Sequence, residues 1–128
     1  MTAFPDAEML VADMLEPVGT VVMFLPENAK KRIDSGQLFV LVQRVGGSDD
    51  GVTDRAEVMV TCWANTRPKA WEASRKVKGI VDQFSTGGRV GDTWIDATWC
   101  IQSGVQLSSD DPDERYVSQQ FRVDTRRQ

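Results

Sequence analysis

Histidine is absent from this 128-residue chain. Its absence removes the side chain most often used as a general acid or base near neutral pH and as a zinc or copper ligand, so hydrolysis by a Ser-His-Asp or Cys-His set is excluded. Cysteine is almost as scarce. Cys62 and Cys100 form no C-x-x-C pair and have no third or fourth ligand to complete a zinc shell, so they read as buried free thiols. Long apolar stretches are missing too. Uninterrupted runs reach only five residues, as at Val21-Val22-Met23-Phe24-Leu25, against the ~20 that a spanning helix requires, so no membrane partner is expected. Met1 to Leu10 contains no Lys or Arg, so the basic start of a secretory signal is lacking and an intracellular origin is expected. What remains is ordinary: 41% apolar and 27% charged residues, with Gly and Pro low enough to exclude collagen or a disordered chain. The length suits a single domain spanning residues 1–128.

The net charge is −4, which argues against a generic nucleic-acid binder, but the signs are segregated along the chain. Between Arg67 and Lys78 stand Arg67, Lys69, Arg75, Lys76 and Lys78 against Glu72 alone, a net +4. Asp49, Asp50, Asp54, Arg55 and Glu57 sum to −3, as do Asp110, Asp111, Asp113, Glu114 and Arg115. Opposed patches on one small domain can pair between copies, and they can equally be solvated surfaces.

Asp6 ahead of Met9, Leu10, Met14 and Leu15 predicts a short helix with an acidic first turn, stopped by Pro17 and Gly19. Thr20 to Leu25 reads as a strand closed by Pro26, and Pro26 to Gly36 as a polar connection with one helical turn around Ala29 to Ile33. Gln37 to Val45 and Val52 to Ala64 read as two strands joined by the hairpin loop Gly46-Gly47-Ser48-Asp49-Asp50-Gly51. In the second strand Ala56, Val58, Val60, Cys62 and Ala64 make a small aliphatic face suited to receive a helix. That helix follows, opened by Thr66 or Arg67, with Pro68 in its first turn and Ala70, Ala73, Val77, Ile80, Val81 and Phe84 on one stripe. A turn at Gly87 to Gly91 leads to a fourth strand, with Ile95, Ala97, Trp99 and Ile101 on one face and Trp94, Asp96, Thr98 and Cys100 on the other. The last strand, within Arg115 to Arg126, alternates Val117, Phe121 and Val123 after a missed beat at Gln119. The order α-β-β-β-α-β-β predicts an α+β fold, a mainly antiparallel sheet packed by two helices.

No pattern points to catalysis. Gly87-Gly88-x-x-Gly91 follows a helix and precedes a strand, the reverse of a phosphate cradle, and reads as a helix cap and turn. Asp110, Asp111, Asp113 and Glu114 lack calcium-loop spacing, with Pro112 in their midst; Asp49-Asp50-Gly51 is explained by turn chemistry. Carboxylate pairs for glycoside hydrolysis would have to come from these loops, without a rigid pocket. Neither an enzyme, a cofactor nor a metal is therefore expected.

Four tryptophans raise the question of which can be buried internally. On a helical wheel Trp71 falls about 130° from the apolar stripe, beside Arg67 and Lys78, which makes it a candidate interface anchor or a ring lying flat on its own domain. Trp63 shares the sheet face opposite the aliphatic one, to be covered by the first helix or by a neighbouring subunit.

The stretch from Leu38 to Ala56, with Arg44-Val45-Gly46-Gly47-Ser48-Asp49-Asp50-Gly51 at its centre, followed by Val58-Met59-Val60-Thr61-Cys62-Trp63-Ala64, resembles the central hairpin of tail terminator proteins of long-tailed bacteriophages, especially those infecting actinobacteria. The helix with Ala70 and Ala73, and the closing stretches Asp111 to Tyr116 and Phe121 to Arg127, are similar in content and order, so the resemblance covers about residues 6–127. It implies a structural virion protein, made in the host bacterial cytoplasm, whose hexameric ring caps the head-proximal end of the tail tube. Such a ring stops tube polymerisation and meets the head–tail connector, with no reaction involved. Partners so implied are identical copies, the tail tube protein, the connector protein, and DNA passing through the lumen without specific binding. The charge split is compatible with this, because a head-to-tail contact needs two different complementary patches. Arg67, Lys69 and Lys78 of one copy, with Trp71 at the centre, would face Asp110, Asp111, Asp113 or Glu114 of the next. An acidic lumen wall would also repel DNA phosphates. The competing reading is a connector or small DNA-binding module that sets Lys30-Lys31-Arg32 and Arg122, Arg126 and Arg127 against phosphate.

Overall fold

The computed structural model describes residues 3–105 and 115–128. It is an α+β fold whose elements run α1 (Ala7–Met14), β1 (Thr20–Val22), α2 (Ala29–Asp34), β2 (Phe39–Asp49), β3 (Thr53–Trp63), α3 (Arg67–Asp82), β4 (Gly88–Val90), β5 (Thr93–Ile95), β6 (Ala97–Val105) and β7 (Tyr116–Arg126). Five strands form one sheet in the order β1-β2-β3-β7-β6; β4 and β5 form a separate hairpin. All neighbours in the large sheet are antiparallel except β1 and β2, which pair in parallel from Thr20–Phe39 to Val22–Leu41.

Local chemistry explains the helix ends. The Asp6 carboxylate accepts from the N–H groups of Glu8 and Met9, and the Thr66 hydroxyl accepts from the N–H of Lys69, so α1 and α3 each start on a cap that satisfies donors lacking an intrahelical partner. Pro68 in the first turn of α3 needs no such partner.

The core lies on one face of the sheet. Val40 and Val42 of β2, Ala56, Val58, Val60 and Cys62 of β3, and Phe121 and Val123 of β7 are buried there with Ala73, Val77 and Val81 of α3 and Leu10, Val11, Met14 and Leu15 of α1 and its end. At roughly 1.5–3 kcal/mol for each large apolar side chain fully removed from water, this layer carries most of the fold's stabilisation. The missed beat of β7 belongs to the same face. Gln119, 1% exposed, turns inward and its Nε2 donates to the Ser74 carbonyl of α3 at 2.6 Å and to the Ser74 hydroxyl.

Five expectations are refined or corrected in detail. The β2–β3 hairpin is longer than the glycines suggest: the ladder runs on to Asp49–Asp54, past a bulge between Arg44 and Gly46, and only Asp50-Gly51-Val52 turns. Gly47 sits inside it at φ +101°, where a Cβ would run into the Arg55 carbonyl. The expected strand from Thr20 ends at Val22, and the helical turn near Ala29 is a six-residue helix. The segment read as one fourth strand is divided, because the Asp96 N–H bonds the Asp124 carbonyl and starts β6 on the large sheet, while β5 has turned back on β4. Finally, α1 packs on the aliphatic face, so Trp63 is covered by α2: it joins Ala29, Ile33, Phe39, Val22 and Leu25, with its ring centroid 4.6 Å from that of Tyr116.

Candidate assembly surfaces

Opposite the helix layer, α2 is the element that covers the sheet among the described residues. Cross-strand neighbours there are Leu41–Thr61, Gln43–Met59, Thr61–Ser118, Met59–Gln120, Glu57–Arg122 and Trp99–Arg122. The Thr61 and Ser118 hydroxyls bond each other at 2.9 Å. Trp99 is 48% exposed on β6, with the Arg122 guanidinium 4.3 Å from its ring centroid, and Ile101 beside it is also exposed. Exposed tryptophan and arginine in contact on a flat sheet are the residue types that dominate protein interfaces. Trp99 was not singled out in the sequence; alternation placed it on a face without saying which face would be covered.

Large exposed apolar residues stand at several places around the sheet, with Val52 at the β2–β3 turn. Met9 on α1, Phe24 just after β1 and Val45 in the β2 bulge belong to one side; Trp99 and Ile101 belong to the β6 side, and Trp94 to the small hairpin. Phe24 is 76% exposed, more than any other of them.

Among the basic candidates, Arg67 and Lys69 are exposed at the start of α3 and have no carboxylate partner among the described residues; Lys78 bonds Asp82. Trp71 is half-buried: it packs beside Ala64, Ala70 and Val117, and a Cβ on Gly104 would stand 2.8 Å from its ring. The ring therefore lies against its own domain along one edge, with Arg67 and Arg75 one turn before and after it on the helix. Asp110, Asp111, Asp113 and Glu114 lie outside the described residues. The other acidic stretch is largely compensated at home. Arg44 grips Asp54 through two bonds of 2.9 and 2.8 Å, and the Asp50 carboxylate accepts from the N–H groups of Thr53 and Val52 and pairs with Arg55. Those backbone bonds first, and Arg55 after them, pull the Asp50 pKa down to about 2.

Four of the cations proposed to meet phosphate, Arg32, Arg122, Arg126 and Arg127, are also engaged. Arg122 bonds Asp124, Arg126 bonds Asp96, and each carboxylate raises the pKa of its guanidinium. The Arg127 guanidinium lies 4.4 Å from the Phe4 ring centroid and donates to the Gly51 carbonyl, while Arg32 stacks on Phe39 and bonds Gln37.

Small-molecule chemistry finds little to work with. A groove of about 220 Å³ between α3 and the approach to β2 is lined by Leu38, Ala64, Asn65, Lys69, Ala73 and Lys76. Among the described residues no three His, Cys, Asp or Glu groups come together to hold a metal ion, and no helix is long and apolar enough to cross a membrane. Both cysteines are free thiols, and burial raises the Cys62 pKa to about 12.

A family model described as phage tail termination protein matches residues 3–128. A search of curated proteins found no match.

Proposed function

The chain belongs to the phage tail termination protein family, a family of structural components of the virion tail that associate with other tail and head–tail proteins; from that membership we propose that copies of this chain close into a hexameric ring on the head-proximal end of the tail tube. The ring ends tube polymerisation and offers its far side to the head–tail connector, while DNA passes through its opening without specific binding. The chain acts by fitting against neighbours and transforms no substrate.

The observation that carries this reading is the family match along residues 3–128. The surface supports it. An open sheet face with Trp99 and Ile101, and exposed apolar residues at both sheet edges, are what a subunit with neighbours on two sides requires. The basic outer surface of α3, with Arg67, Lys69, Trp71 and Lys78, forms one side of the contact between copies, and its counterpart is acidic. The engagement of Arg122, Arg126 and Arg127 within the subunit favours the ring over a phosphate-binding module, because each would have to leave a partner to meet DNA.

The test is the mass of the purified protein in solution and on isolated tail tubes. Six copies bound at one tube end, with tube growth stopped, is the expected result. A single copy under both conditions, or steep salt-dependent binding to duplex DNA, would overturn it.

A further inference from the structure

The charges left without partners inside the subunit identify a specific contact. The segment from Ala3 to Ala29 contains Asp6, Glu8, Asp13, Glu16 and Glu27 and no Lys or Arg. Asp6 caps α1 and Glu8 accepts the Arg44 N–H, but Asp13, Glu16 and Glu27 have no cation within reach among the described residues. On α3, Arg67 and Arg75 are likewise exposed and unpaired, whereas Lys76 and Lys78 pair with Glu72 and Asp82.

These residues form two matching faces. Met9, 50% exposed, and Asp13 stand four apart on α1, with Glu16 just past its end: an apolar side chain among acids. Arg67, Trp71 and Arg75 follow one another at four-residue steps on α3: an aromatic ring between two cations. Both helices lie in one layer, α1 across β2 and β3 and α3 across β3, β7 and β6, so the two faces occupy opposite halves of that layer. Neither can neutralise itself, and a contact joining one to the other is head-to-tail, the kind that closes a ring when the rotation fits.

We propose that the Met9–Asp13–Glu16 face of α1 in one copy seats on the Arg67–Trp71–Arg75 face of α3 in the next. The Met9 thioether meets the exposed part of the Trp71 ring, and the carboxylates meet the two guanidiniums. This rests on the ring reading above and names the acidic surface that it requires.

Charge exchange tests it, because all four charged positions are exposed and their reversal leaves the core untouched. Sedimentation at low ionic strength is expected to show roughly a tenfold or greater loss of apparent assembly affinity for Arg67→Glu with Arg75→Glu, and a similar loss for Asp13→Arg with Glu16→Arg. Combining the four substitutions is expected to restore the wild-type mass, with circular dichroism unchanged throughout. A combined variant that assembles no better than either parent overturns the pairing. So does a basic-face reversal rescued instead by reversing Asp110, Asp111, Asp113 and Glu114. A wild type that stays a single copy even on tail tubes overturns the ring itself, whereas a ring indifferent to the reversals overturns only this pairing.

Discussion

The two faces of the five-stranded sheet are built by the same strands and finished in opposite ways. One face alternates Val, Ala, Cys and Phe under two helices, and among the polar groups buried there Gln119 donates to the Ser74 carbonyl, Thr98 to the Val81 carbonyl, and Asp54 accepts from Arg44. The other carries Leu41, Met59, Thr61, Gln120 and Trp99, a mixture of apolar and polar side chains, with α2 over one end among the described residues. Strand alternation makes this division of labour available at no extra length. The covered face specifies the subunit, and the open face keeps its side chains accessible.

The contrast can be broken most forcefully at Phe121. Phe121→Ala on the covered face is expected to cost about 3–5 kcal/mol in denaturant unfolding, while Trp99→Ala on the open face costs under about 1 kcal/mol and chiefly weakens assembly. Equal stability losses would show that the open face is a second core. Next comes Arg44→Ala. Asp54 is 3% exposed on the covered side, and losing its bidentate partner leaves a buried carboxylate uncompensated, expected to cost about 1–3 kcal/mol with the hairpin end affected first in hydrogen exchange.

A smaller effect concerns acid. The folded pKa of Asp50 is depressed from the ordinary 3.8 to about 2, so its contribution is present above about pH 4 and is lost as the pH falls toward 2. The stability gap between wild type and Asp50→Asn should therefore shrink across that window and vanish only below about pH 2; a gap independent of pH would remove the carboxylate's role in the turn. The mildest comparison is chemical. Cys62 on the covered face, its thiol raised to about 12, is expected to resist a disulfide reagent at pH 8 until unfolding, while the half-buried Cys100 reacts from the native state. Equal rates would mean that the covered face opens locally.

How much of this was legible beforehand follows from what each signal measures. Asp6 and Thr66 marked helix starts, the Ala56–Cys62 alternation marked the core face, and the stripe of α3 was readable because period and polarity agreed at every step. The hairpin end was not readable, since Gly46 and Gly47 have the same turn chemistry whether they make a loop or a bulged ladder. Nor was the cover of Trp63: alternation fixes which residues share a face, not which helix arrives there, and α2 is too short to display a period. On the wheel Trp71 falls beside Arg67 and Lys78, and the absence of a side chain at Gly104 lets its ring settle onto β6, a contact between residues 33 positions apart in sequence. The exposed pair Trp99 and Arg122 depends on the same long-range register.

The bond from Gln119 to Ser74 also bears on how α3 keeps its place. Ala70, Ala73, Val77 and Val81 repeat closely enough that sliding the helix along the sheet would exchange one aliphatic contact for another of similar quality. An amide that must find a carbonyl is less forgiving: a shift would strand its hydrogens in hydrocarbon. Gln119 thus works as a detent, holding one axial setting among several that oiliness alone would tolerate, and the row of cations on the helix keeps a constant height above the sheet.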